Sequence, residues 1–136
     1  MAAGFPLSTA YANGDVLTAT NVNDITGTVN LLGNLSENAQ TGTTYTLVLG
    51  DSAKVVSMTN ASANTLTVPP NASVAFPTGT QIIIYQGGAG QTTIAAGSGV
   101  TINSQGAKLK VTGQYGVATL VKLATNTWIA AGNLSA

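Results

Sequence analysis

The chain has 136 residues, 44% of them hydrophobic but only 6% charged, with formal net charge zero and neither histidine nor cysteine. That size fits one domain with an arm, and the composition is that of a globular chain rather than a disordered polyion. It excludes disulfides, thiolate metal sites and imidazole proton transfer; the four cations, Lys54, Lys108, Lys110 and Lys122, include no arginine to grip phosphate or guanine in bidentate fashion. The expectation is a protein that is not an enzyme and has no cofactor, no metal and no nucleic-acid partner.

The first residues, MAAGFPLSTAYANGD, lack the basic and apolar regions of an export signal. Apolar runs such as TLVLG and QIIIY fall far short of the roughly 20 residues of a membrane-spanning helix, so no membrane partner is expected. The sequons at Asn34, Asn60, Asn71 and Asn133 are what a chain rich in Asn, Ser and Thr produces by chance. In TATNVNDITGTVNLLGNL, Val22, Ile25, Val29 and Leu32 are spaced as one stripe of a helix over about residues 20–33. Thr20 suits the N-cap, Asp24 the first turn and Gly33 the C-terminus. Gly27 and two threonines weaken so short a helix, so its seam needs a surface to pack on: its own domain, copies of itself, or a larger partner. Residues 1–40 are therefore read as an anchoring or trimerisation arm.

Residues 41–136 read as an all-β domain. TTYTLVLG sets Tyr45, Leu47 and Leu49 against threonines, and AKLKVTG sets Leu109 and Val111 against lysines. KVVSMTN, NTLTVPP, SVAFP, GTQIIIYQ, QTTIAAG, GVTINS, YGVATLVKLA and NTWIAAG follow, with turn residues about every ten positions. The expected fold is a compact antiparallel β-sandwich or barrel-like domain of about 8–10 short strands behind a short N-terminal helical arm. No fixed repeat period stands out, which disfavours a regular solenoid. Pro69, Pro70 and Pro77 confine their segment to a loop or an edge strand.

The glycine-rich stretch YQGGAGQTTIAAGSG is not a phosphate loop, because such a loop opens a helix and β-like residues follow here. Its glycines mark tight turns between strands. Of the acids Asp15, Asp24, Glu37 and Asp51, only Asp51 falls in the β domain, at a turn-like position. A carboxylate-driven depolymerase would need a site shared between subunits. Tyr85, Tyr115 and Trp128 could stack on sugars, although a lone tryptophan in a strand is more often a core anchor.

The run from DSAKVVSMTNASANTLTVPP through FPTGTQIIIYQGGAGQTTI to YGVATLVKLATNTWIAAGNL resembles a module recurring in tailed-bacteriophage virion proteins, among them short fibres, head-decoration proteins and tail appendages. It covers about residues 45–134, and GDVLTATNVND resembles the short segment by which such proteins attach to the particle. The resemblance implies a structural protein on the virion surface, with a capsid-decoration (cement or head-fibre) subunit as the leading expectation. It implies a homo-oligomer, expected as a trimer, bound to the major capsid protein or another virion protein, with Val22, Ile25, Val29 and Leu32 as the oligomer or anchor interface. The alternative is a tail-fibre or receptor-binding module that contacts host-surface glycans through Tyr85, Tyr115 and Trp128.

Overall fold

The computed structural model describes residues 35–136, nearly all in a unit spanning Ser36–Ala136. The expected helix and its seam, Val22, Ile25, Val29 and Leu32, lie outside the described residues. Within them the fold is all-β, two packed sheets with two short 3-10 turns. The strands are β1 (Glu37–Gln40), β2 (Thr44–Thr46), β3 (Val55–Met58), β4 (Asn64–Val68), β5 (Gln81–Gln86), β6 (Thr92–Ala96), β7 (Thr101–Ser104), β8 (Lys110–Val111), β9 (Val117–Ala124), β10 (Thr127–Gly132) and β11 (Leu134–Ser135). One sheet has the order β1-β3-β5-β9-β10-β7, the other β11-β8-β6-β4-β2.

The chain crosses from one sheet to the other at every turn from β1 to β6. Hence β1, β3 and β5 stack parallel in the six-stranded sheet, and β2, β4 and β6 stack parallel in the five-stranded one. Each crossing pair is a rung, and three rungs form a short parallel coil. The later strands close it: β9 runs antiparallel to β5, β10 to β9, β8 to β6 and β11 to β8, while β7 lies parallel to β10 at the far edge.

This corrects the antiparallel expectation, and the coil is an irregular one. Glu37 pairs with Val55 and Val55 with Ile83, offsets of 18 and 28 residues, so no single period exists to be found. The irregularity comes from the returns to the six-stranded sheet, which span residues 47–54, 69–80 and 97–100. Parallel neighbours in one sheet usually need a long crossover. Here the next strand in sequence lies in the opposite sheet, so short turns suffice. Two further boundaries move. β1 lies inside the segment assigned to the arm, because ENAQ has no β-branched residue to announce it, and SVAFP is a loop rather than a strand.

The core lies between the sheets: Val56, Met58, Ile82, Ile84, Leu120 and Trp128 from one, Leu66, Val68 and Ile94 from the other. The first rung is different, contributing Asn38, Gln40 and Tyr45, and it ends at the buried Asp51. Asp51 accepts hydrogen bonds from Asn38 Nδ2 (2.8 Å), the Tyr45 hydroxyl (2.8 Å) and the Val48 amide (2.9 Å). A polar outermost layer is what a stacked-repeat fold needs at its end.

At the opposite edge of the rungs the turns lie on one another. The Gly87 and Gly88 amides donate to the Met58 carbonyl at 2.9 and 3.0 Å, and the Gly90 amide donates to the Asn60 carbonyl at 3.2 Å. A Cβ on Gly88 would sit 2.2 Å from the Asn60 carbonyl oxygen, and one on Gly90 1.9 Å from that of Ser62. The glycines of the stretch YQGGAGQTTIAAGSG therefore permit contact between neighbouring turns, a stronger role than marking a bend. Gly90→Ala is expected to lower stability by about 1–3 kcal/mol, whereas Gly113→Ala, with no atom within 4 Å of the new Cβ, should change it little. Chemical denaturation of the two variants checks this, and equal midpoints would refute the stacking account.

Candidate functional site

The two sheets show different faces to the outside. On the five-stranded sheet the outward rows are Thr44, Thr65, Thr93 and Lys110, then Thr46, Thr67 and Ala95. That is a threonine ladder, suited to water and to β geometry alike. The six-stranded sheet places Glu37, Val55, Ile83, Thr119 and Ala131 in one outward row and Gln81, Val121, Ile129 and Asn103 in the next. Tyr85 and Val117 continue the face toward the stacked turns. Glu37, on the edge strand β1, is the one carboxylate among these positions, and at the strand end Leu123 adds a side chain that is 52% exposed.

The sequence carried this signal. QIIIYQ and VATLVKLA are nearly continuous apolar runs, the mark of strands covered on both sides, while NTLTV and TYT alternate as half-covered strands do. Within the described unit β5 and β9 are covered on one side by the core, and Ile129 and Val117 remain 39% and 37% exposed on the other. Beside this face Gln105, Lys108, Ile129, Ala131, Gly132 and Leu134 line a pocket of about 220 Å³.

The three aromatic residues singled out as sugar contacts do not come together. Trp128 is 1% exposed, its ring in a T-shaped contact with Phe76 at 5.5 Å and under the Lys122 ammonium at 5.9 Å, so it is the core anchor rather than a platform. Tyr85 is half-buried on the outward face. Tyr115 is 70% exposed at φ 70°, a left-handed conformation unusual for a side-chain-bearing residue, and its amide donates to the Gln86 carbonyl at 2.7 Å. The two acids among the described residues, Glu37 and Asp51, each have their own partners. Glu37 accepts from the Ser57 hydroxyl, Asp51 is enclosed in its hydrogen bonds, and Asp15 and Asp24 lie outside the described residues.

Lys122 is 2% exposed and donates to Asn71 Oδ1 (2.6 Å) and the Phe76 carbonyl (2.7 Å), fastening the proline-bounded loop 69–80 over the tryptophan. Burial pushes its pKa below the usual 10.5. Burial first, then the hydrogen bond to Asp51 and that residue's charge, pushes the Tyr45 phenol above its usual 10.0. No family model, curated protein or solved structure matches the chain.

Two outcomes follow from these environments. Trp128→Ala should cost about 3–5 kcal/mol of folding stability, as large-to-small core changes do; an unchanged melting temperature would place the ring outside the core. Tyr45 holds its proton longer folded than unfolded, so its contribution is complete below pH 10.0 and is lost as pH rises from there through the folded value. Lys122 acts in the opposite sense, since the unfolded chain keeps that proton up to 10.5 and stability gains as pH approaches it. Tyr45→Phe should therefore lose about 1 kcal/mol at neutral pH and lack the wild-type component of alkaline loss. Denaturation curves of both proteins between about pH 8 and 11 test this, and parallel curves would contradict it.

Proposed function

We propose that the protein is a non-enzymatic structural subunit of a tailed-bacteriophage virion, acting as a homotrimeric capsid-decoration protein on the particle surface and attached through its N-terminal arm. The observation that carries the reading is the contrast between the two outer faces, one a threonine ladder and the other centred on the aliphatic side chains Val55, Ile83, Val121 and Ile129 with polar residues and Glu37 around them. Such a contrast suits a subunit with one side toward water and one toward neighbouring protein. The residue blocks that resemble virion modules run from Asp51 through the stacked turns to Trp128, the parts that define the coil and its closure. A charge-poor surface also leaves little Coulomb repulsion between closely packed identical subunits.

A specific observation favours a second reading, that of a tail-fibre or receptor-binding module. Tyr115 is 70% exposed in a left-handed turn, beside the strand that carries Tyr85, as a ring presented to a glycan would be.

The test compares the full chain with a variant lacking residues 1–34, which leaves β1 in place. Both are added to particles stripped of the protein, and binding is read by sedimentation and by imaging of intact particles. The full chain is expected on the head and the shortened one free in solution. Decoration by the shortened chain would sink the anchor. Location at the tail tip, with host adsorption reduced by Tyr115→Ala, would replace decoration by the fibre reading.

A further inference from the structure

We infer that the turn 113–116 is a carbohydrate-binding tip, with Tyr115 as the ring on which a neutral pyranose stacks and Gln114 as its hydrogen-bonding neighbour. This deepens the receptor-binding reading, from which it takes only the exposed ring, and a decoration subunit can carry the same site.

The turn is closed by the Gly116 amide, which donates to the Gly113 carbonyl at 3.0 Å, and φ is positive at Tyr115 but not at Gln114. That is the pattern of a type II turn, whose third position favours glycine or asparagine because a larger side chain crowds the backbone there. The chain does place glycine where this turn demands it: a Cβ on Gly116 would lie 2.6 Å from Val111 Cγ1 and 2.9 Å from the Gly113 carbonyl oxygen. Ala53 and Ala107 also take positive φ, but each carries only a methyl group. Tyr115 carries a whole phenol, and it is 70% exposed. The fold uses its backbone, since its amide donates to the Gln86 carbonyl at 2.7 Å, and glycine or asparagine would supply that bond with less strain. A bulky ring held at a strained position without being buried serves something outside the fold.

The surroundings select the ligand. Gln114 Nε2 donates to the Gly87 carbonyl at 3.0 Å, which holds the side chain in place and leaves its Oε1 to accept from a ligand hydroxyl. Thr112 Oγ1 lies 3.5 Å from the position a Gly116 Cβ would take, so a hydroxyl stands at the turn as well. Tyr85 pairs with Val117, two residues beyond Tyr115, and its Cε1 comes within 3.2 Å of where a Gly87 Cβ would be, so that glycine makes room for a second ring. Residues 59–63, 87–91 and 112–116, the turns at this edge, contain no ionised side chain. An aromatic ring among amides and hydroxyls, with no charge, matches a neutral sugar: the negative face of the ring meets the C–H face of the pyranose, and the amide meets its hydroxyls. A protein partner would call for aliphatic neighbours that form a dry centre around the ring, and an anionic ligand would call for a cation; the rest of the turn is glycine and glutamine, with Thr112 before it.

The test uses the full chain and a panel of maltotriose, chitotriose and galactotriose, with 3′-sialyllactose as the anionic member. Binding is read by saturation-transfer NMR and by amide shifts in titrations up to about 10 mM sugar. At least one neutral member is expected to bind, with transfer strongest to the C–H protons of one ring face and shifts centred on Gln114 and Tyr115. Tyr115→Asn, which suits the positive φ, should weaken binding at least about 10-fold, while melting no lower than wild type and up to about 5 °C higher. Gln114→Ala should weaken it by about 3-fold to 10-fold, and Thr67→Ala, on the outer face of the other sheet, should leave it unchanged.

No binding by any member, binding only to the sialylated one, or binding that survives Tyr115→Asn would each overturn the inference. So would a lower melting temperature for Tyr115→Asn, which would make the ring part of the fold. Particle attachment is measured separately. Decoration without sugar binding sinks this site alone, and sugar binding by a protein that joins neither head nor tail sinks the virion reading alone.

Discussion

The whole described fold depends on how closely one turn can lie on the next. Parallel strands hydrogen-bond only at about 4.8 Å separation, so a coil of rungs forms only if its turns stack at the same spacing as its strands. Gly88 and Gly90 make that possible on the third rung, where their α-carbons press on the carbonyls of Asn60 and Ser62 and no side chain could intervene. The polar residues beside them hold the register: the Thr92 hydroxyl donates to Asn64 Oδ1 at 2.7 Å, and Gln86 Oε1 accepts from the Thr92 amide at 3.0 Å. With the turns aligned, Leu66 faces Ile94 and Val56 faces Ile84 across their ladders, and the core assembles from rows rather than from isolated contacts.

Two ions are buried in this framework without an opposite charge among their hydrogen-bond partners. Asp51 is held by an amide, a phenol and a backbone N–H, and Lys122 by an amide oxygen and a backbone carbonyl. Each binds together segments that carry little regular structure of their own. Asp51 joins the first rung to the return after β2, and Lys122 joins β9 to the loop between β4 and β5. Charge-assisted hydrogen bonds are stronger than neutral ones, and in the loop between β4 and β5 the Lys122 bonds add to the packing of Phe76 on Trp128.

Much of this was legible in the sequence, and the failures share a cause. NTLTV, QTTIAAG and NTWIAAG fall on strands because alternation and β-branching are local properties. The parallel pairing was hidden because it is a relation between segments whose spacing varies with the loops. The first strand, ENAQ, was hidden because its inward residues are polar, as an end layer requires, so it reads as a loop. Lys122 gave no sign of burial. Its alternation with Leu120 placed it inward, but a lysine in a strand reads as solvent-facing unless the loop that receives it is known. The aliphatic centre of the outer face was visible in QIIIYQ and VATLVKLA, runs too continuous for strands with one wet side.

The polar first rung separates two roles that most small β domains combine. In a sandwich each strand both fills the core and closes it, so adding one disturbs the rest. Here one end is sealed by Asn38, Tyr45 and Asp51 and the other by the antiparallel strands, while the rungs between are joined only by stacking. A gene for such a protein could gain or lose a rung by duplication of a single in-frame segment, changing the height of the domain by about 4.8 Å without redesigning either end. The unequal loop lengths of the rungs already in place show how much variation in the connecting segments that arrangement tolerates.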